Sequence, residues 1–245
     1  MQYYSIQHSL NKKIVGHSPQ IKKIIHSCDI WEDSNFIDRF NYEEININPI
    51  ISTPVLHSSS NATDLIDVRG EIGFLSKILI KSNLKSILEK KRTSGLQFFK
   101  SPVIYQEKII DDYYILNMYE TNNDLLDIKN CRIQYHKKAD DYETTYNTNN
   151  EYLIFENFEN FNSFLNIAIT NNEFFFIDKI SLKDGIKEDF FMLKNVQGGT
   201  KYVVSEKLKK EIEEANCTGV EFQPVELSTK EWLHDGEREK VYGKA

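Results

Sequence analysis

The chain has 245 residues, with 30 Lys and Arg against 37 Asp and Glu, a formal net charge of −7, and 40% hydrophobic and 12% aromatic residues. That composition is too apolar for a disordered chain, and a chain of this length buries about 70–75% of its unfolded surface, so it needs no disulfide or structural metal. Apolar blocks such as Phe174-Phe175-Phe176-Ile177 fall far short of the ~20 residues of a membrane span, and the start, MQYYSIQHSLNKK, lacks a basic stretch followed by an apolar one.

Cys28, Cys131 and Cys217 are odd in number and show no Cys-x-x-Cys spacing, which fits a reducing compartment. A soluble cytoplasmic protein with no membrane partner is expected. The 22 Asn, 29 Ile and 25 Lys beside 5 Arg follow A/T-rich codons and carry no functional signal.

In chain order, Phe74 to Ile80 reads as a strand ending near Ser82, a residue suited to N-capping. Leu84, Ile87 and Leu88 then share a helical face, Gly95 supplies a left-handed helix end, and Phe98 lies on a second short strand. Tyr113 to Met118 is a strand candidate, and Lys137 to Glu151 reads as a long polar loop. Phe158, Phe161, Phe164 and Leu165 have helical spacing. Asn166–Thr170 and Glu173–Asp178 are expected to form a hairpin across Asn171-Asn172, and a second hairpin is expected across Gln197-Gly198-Gly199-Thr200. Ser205, then Leu208, Ile212 and Ala215, then Gly219 and Phe222, repeat the earlier helix and strand pattern. Leu233 to Ala245 is polar and reads as a poorly held tail.

That repetition is an internal repeat at an offset of 124 residues. Ile80-Lys81-Ser82-Asn83-Leu84-Lys85, Leu88-Glu89 and Ser94-Gly95-Leu96-Gln97-Phe98 match Val204-Ser205-Glu206-Lys207-Leu208-Lys209, Ile212-Glu213 and Thr218-Gly219-Val220-Glu221-Phe222. Each copy is followed by a proline-valine pair, Pro102-Val103 and Pro224-Val225. An α+β fold is therefore expected, with two related strand–helix–strand halves and mainly antiparallel sheets in one body. The boundary is placed near residue 104, with 80–98 in the 1–104 half and 204–222 in the 105–245 half.

Charge is divided unevenly. Residues 1–104 carry 13 basic and 10 acidic side chains, whereas 105–189 carry 8 and 17, a net of −9. A chain that wraps nucleic acid needs Lys and Arg to displace counterions, so the asymmetry argues against a nucleic-acid partner and for a basic protein partner.

The segment YVVSEKLKKEIEEANCTGVEFQPVEL, Tyr202–Leu227, resembles the C-terminal signature of an immunity-protein family from bacterial polymorphic toxin systems. Tyr113-Tyr114 with Asn117, Leu126-Asp127, and Phe174–Asp178 followed by Phe190-Phe191-Met192-Leu193 are similar to other stretches of that family, as is the first repeat from Thr63-Asp64-Leu65-Ile66 to Phe98. The similarity covers about residues 63–130 and 165–227; Cys131-Arg132 departs from it where a serine is expected. The resemblance implies a cytoplasmic protein that binds a cognate toxin and blocks it, with the shared motifs as scaffold and contact residues that vary with the toxin. It transfers no site residue.

Phosphate-cradling GxxxxGK[ST] and GxGxxG and the nucleophile elbow GxSxG are absent. His26-x-Cys28 and Cys131 with His136 lack zinc-site spacing, and His57-Ser58-Ser59-Ser60 sets a base beside hydroxyls without a catalytic arrangement. No catalytic, cofactor-binding or metal residue is assigned, and no cofactor is expected. Tyr135, Tyr142, Tyr146 and Tyr152 interleave with Asp140, Asp141, Glu143 and Glu151, as in a docking surface where tyrosines supply contact area at small entropic cost. Asp140, Asp141, Tyr142, Glu143 and Tyr146 are the candidate contacts for a basic toxin of the nuclease type, bound by a monomer one to one. The alternative is a hydrolase or nucleotide-modifying enzyme using the carboxylates of 105–189 (Asp111-Asp112, Asp140-Asp141, Glu156 and Glu159). A regulatory module would instead show one dominant ligand cavity.

Overall fold

A computed structural model describes residues 2–136 and 151–245. The first half of the chain forms β1 (Tyr3–His8), α1 (Lys12–Val15), β2 (Ile21–Ile25), β3 (Thr53–Leu56), β4 (Leu65–Ile66), β5 (Ile78–Lys81), α2 (Ser82–Lys91) and β6 (Leu96–Lys100). It continues with β7 (Val103–Tyr105), β8 (Lys108–Ile110), β9 (Tyr113–Met118), β10 (Arg132–His136) and β11 (Glu151–Leu153). The rest is α3 (Phe158–Thr170), β12 (Phe174–Lys179), β13 (Phe190–Val196), β14 (Gly199–Ser205), α4 (Glu206–Glu214), β15 (Val220–Pro224) and α5 (Glu237–Tyr242). The α+β class holds, with mainly antiparallel sheets. No helix among the described residues is long and apolar enough to cross a membrane.

Both repeat copies fold as strand, helix, strand: β5-α2-β6 and β14-α4-β15. The match then extends to strands outside the repeated text. The sheets run β4-β5-β9-β6 and, within a seven-stranded sheet, β13-β14-β1-β15. Tyr114 pairs with Ile80 and Lys100, and Tyr4 pairs with Val204 and Pro224, the repeat equivalents of those two residues. Tyr3-Tyr4 thus occupies the place of Tyr113-Tyr114. Leu65 pairs with Ile80 as Phe190 pairs with Val204, which makes β4 the counterpart of β13.

Counted with the copy that follows it in the chain, each tyrosine-led strand lies in the other copy's sheet. β1 precedes the first copy in the chain but fills the space between β14 and β15, while β9 follows the first copy and fills the space between β5 and β6. The connectivity is that of a domain-swapped dimer in one chain. It also means that the boundary near 104 is crossed by strands in both directions.

Strand alternation sends side chains to opposite faces and so builds layers. Ile78, Ile80, Leu116 and Met118 share one cluster with Ile6, Met192, Tyr202, Val204 and Phe222, so the two copies close on a common core. Leu84 and Leu88 of α2, with Leu208 and Ile212 of α4, complete it. On the far face of the first sheet, Leu79, Tyr113 and Ile115 pack with Val103 and Leu56, which belong to the sheet β2-β3-β7-β8. On the far face of the second, Phe191, Leu193 and Val203 pack with Phe161 and Ala168 of α3.

Several local expectations are corrected. Ser205 caps α4 by accepting from the Leu208 amide, but Lys81 holds the N-cap position of α2, and Ser82 is its first helical residue. The left-handed residue that ends α4 is Asn216 (φ 55°), with Asn216 N–H donating to Glu213 O and Cys217 N–H to Ile212 O. Gly219, three residues on, is needed for close approach, since a Cβ there would lie 2.5 Å from the Leu65 carbonyl oxygen. Asn166–Thr170 is the second half of α3 and not a hairpin strand: Phe161 and Ala168 face the core while Ile167 and Ile169 are exposed. The Gln197–Thr200 hairpin forms as expected.

The C-terminal segment is held. Arg238 is 3% exposed and forms a two-pronged ion pair with buried Glu221 at 2.5 and 2.6 Å. Glu221 also accepts from Ser9 Oγ and the Leu10 amide, and the Tyr242 hydroxyl accepts from the Phe222 amide. A buried carboxylate with this many donors loses its charge balance when the guanidinium goes. Arg238→Ala should therefore lower stability by about 3–5 kcal/mol in a denaturant melt, where loss of a surface tail would change nothing. Leu208→Ala, which empties a fully buried site on α4, should cost about 2–5 kcal/mol by the same measurement.

Candidate functional site

Asp140, Asp141, Tyr142, Glu143 and Tyr146 lie outside the described residues. They belong to the connection between β10 and β11, and those strands are described. Ile133, Tyr135, Leu153, Phe175 and Ile177 turn toward the core, with Tyr135 edge-on to Phe164 at 5.2 Å. Tyr135 is thus partly buried against the core. The opposite face carries Tyr152 (54% exposed), Gln134 and Phe176 in one cross-strand row, with His136 and Phe174 (73% exposed) in the next. The Arg132 guanidinium lies 4.9 Å from the Tyr152 ring centre, and His136 stacks on Phe176.

Three of the carboxylates proposed for enzymatic use are matched with separate lysines. Asp111 pairs with Lys100 at 2.6 Å, Asp112 faces Lys81 at 3.9 Å, and Glu156 faces Lys129 at 3.9 Å. Ser60 donates to the Gln20 carbonyl, His57 stacks on His17, and His26 bonds Ser52. No group of three or more His, Cys, Asp or Glu that could hold a metal occurs among the described residues.

A different site emerges where the two copies meet. The ladder between β1 and β14 stops at Ser5 and Val203; beyond it β1 stays with β15, and β14 stays with β13. The parting strands open a cavity of about 520 Å³, lined by the equivalent segments 74–78 and 198–202. Its size lies within the range of small-molecule sites.

Two equivalent lysines, Lys77 and Lys201, line this cavity, and both are buried. Burial pushes each ammonium down to about 8, against the attraction of Asp38 for Lys77 and of Asp178 for Lys201. Their surroundings differ. Lys77 Nζ donates to Asn41 Oδ1 at 3.1 Å and to the Leu75 carbonyl at 3.2 Å, with Asp38 at 3.9 Å. The Lys201 side chain, 6% exposed, makes no hydrogen bond or ion pair among the described residues, its ammonium is not one of the fully enclosed polar atoms, and Asp178 is held by Arg132 at 2.8 and 2.5 Å. His8, also in the wall, is pushed down to about 4 by burial, and its Nε2 is unpartnered. Sequence reading missed all three residues, because a lone lysine or histidine reads as surface; the alignment of Lys77 with Lys201 could have singled out the two lysines, and no signal pointed to His8.

Comparison with models of known protein families finds no match, and comparison with curated proteins finds none either.

The lysine at 201 should leave a signature in stability. Its folded value of about 8 lies below the ordinary 10.5, so between these limits the unfolded chain holds the proton that the folded chain has lost. Stability therefore rises with pH across that window, and the penalty is fully present below pH 8. Lys201→Met should be more stable than the parent at pH 7 by about 3 kcal/mol, the gain shrinking to nothing above pH 10.5. Paired denaturant melts at pH 7, 9 and 10.5 check both sign and slope.

Proposed function

We propose that this protein is an immunity protein that neutralises a cognate bacterial toxin in the cytoplasm by forming a one-to-one complex, without turnover or cofactor. The observation that carries this reading is the outward face of β10, β11 and β12, where Tyr152, Phe174 and Phe176 stand in adjacent rows on the strands that flank the 137–150 connection. Exposed aromatic rings with a guanidinium beside them are the composition of a protein-binding hot spot. The face belongs to the −9 stretch 105–189, and a basic toxin domain of the nuclease type complements that charge.

The resemblance adds support of another kind. The side chains of Tyr202–Leu227 that carry it, among them Val203, Val204, Leu208, Ile212 and Phe222, are buried. They build scaffold, as the resemblance implies, and leave recognition to surfaces elsewhere.

Co-expression with the product of the adjacent upstream gene tests the proposal: rescue of growth together with co-purification supports it, and the absence of both overturns it. Within a complex, Tyr152→Ala combined with Phe174→Ala should weaken affinity by about 2 kcal/mol or more at nearly unchanged melting temperature. Replacing Asp140, Asp141 and Glu143 with Ala should slow association and flatten its salt dependence in surface-based kinetics, as loss of steering charges does.

A further inference from the structure

Lys77 and Lys201 provide a comparison inside one molecule. They occupy the same repeat position, with the same burial and the same shared cavity. In the first copy the ammonium is answered by a carboxylate, a side-chain amide and a carbonyl. In the second it is answered by none of these. Buried charges are ordinarily paired, and an unanswered one marks a place where a partner is missing.

Charge bookkeeping around the cavity gives the sign and size of that partner. Arg69 has Asp67 at 2.7 Å, Arg238 has Glu221, and Lys77 has Asp38. Lys201 has only the attraction of Asp178, a carboxylate engaged by Arg132. The wall is thus one negative charge short. The remaining lining includes Phe74, Leu10, Trp232 and Leu233, an apolar and partly aromatic surface suited to a flat organic body.

We propose that the cavity between the two repeats binds a small organic monoanion, an aromatic carboxylate whose charged group meets Lys201 and whose ring lies against the apolar wall. The unpartnered Nε2 of His8, the bare nitrogen of a neutral ring, accepts from a donor on the ring body such as an indole N–H, and the parting of β1 from β14 supplies the space. This proposal does not rest on the immunity reading, so either can fail without the other.

Titration calorimetry of the intact protein with indole-3-acetate, benzoate, benzamide and inorganic phosphate tests it. Indole-3-acetate and benzoate should bind saturably at one site, and neutral benzamide about tenfold or more weaker than benzoate, the loss expected for one charge-assisted contact. Lys201→Met should remove the preference for benzoate over benzamide. Absence of saturable carboxylate binding, phosphate binding tighter than both carboxylates, or an unchanged preference in Lys201→Met would overturn the proposal. A readout on the unaltered protein guards against a variant that does not fold: indole-3-acetate should slow acetylation of Lys201 by acetic anhydride, followed by peptide mass spectrometry, and an unchanged rate counts against the site.

Discussion

The insertion of Tyr3–His8 between Gly199–Ser205 and Val220–Pro224 is the constraint on which the structure depends. A strand pair with an empty centre exposes two rows of unpaired backbone donors and acceptors, and the N-terminal strand pairs with the Val220–Pro224 row along its length and with the Gly199–Ser205 row from Val203 to Ser205. Its counterpart, Tyr113–Met118, does the same for the first copy. The second copy cannot complete its sheet from contiguous chain, so the two halves are committed to one cooperative body. The shared cluster of Ile80, Leu84, Leu116, Val204, Leu208 and Phe222 follows from that commitment. Pairings such as Tyr4 with Pro224 span nearly the whole chain, which places this fold among those whose closure is slow because loop entropy is lost before contacts form.

How much of this was legible in the sequence depended on whether the determining contacts were local. The strand–helix–strand repeat was legible, because the helical face and its flanking strands lie within about twenty residues of one another and recur at one spacing, although the caps at Ser82 and Gly219 were misplaced. The third strand of each copy was not. Tyr3-Tyr4 and Tyr113-Tyr114 are alike, but the exchange puts each of them at a different distance from the unit it completes, so no single offset aligns them. The misreading of Asn166–Thr170 has a similar cause: Ile167 and Ile169 alternate as in a strand, and only the packing of Phe161 and Ala168 on the sheet shows a helix whose isoleucines face outward. Arg238 looked like part of a solvated tail because its partner, Glu221, lies on a strand that reads as scaffold.

The candidate site was less legible than the fold for an electrostatic reason. Lysine is among the residues least often buried, so sequence alone assigns Lys77 and Lys201 to solvent. The structure buries both and then distinguishes them through groups far away in sequence, Asp38 and Asn41 in one case and Asp178 in the other. An internal repeat makes the difference interpretable. Two copies with the same backbone and the same side chain should carry the same local cost, and the copy that leaves its ammonium unanswered bears a penalty that packing alone would have removed. Such local conflicts concentrate at functional sites.

Asp178 joins the two surfaces of the second sheet. It lies on β12, which carries Phe174 and Phe176 of the aromatic rows and stands between β10 and β13. On one side it attracts Lys201; on the other it holds Arg132, whose guanidinium rests against Tyr152. The carboxylate is buried, so both attractions act through a medium that screens them weakly. With Lys201 charged and unanswered, Asp178 divides its field between two cations. The same atoms that make the cavity one charge short also set how firmly an edge of the outward face is held.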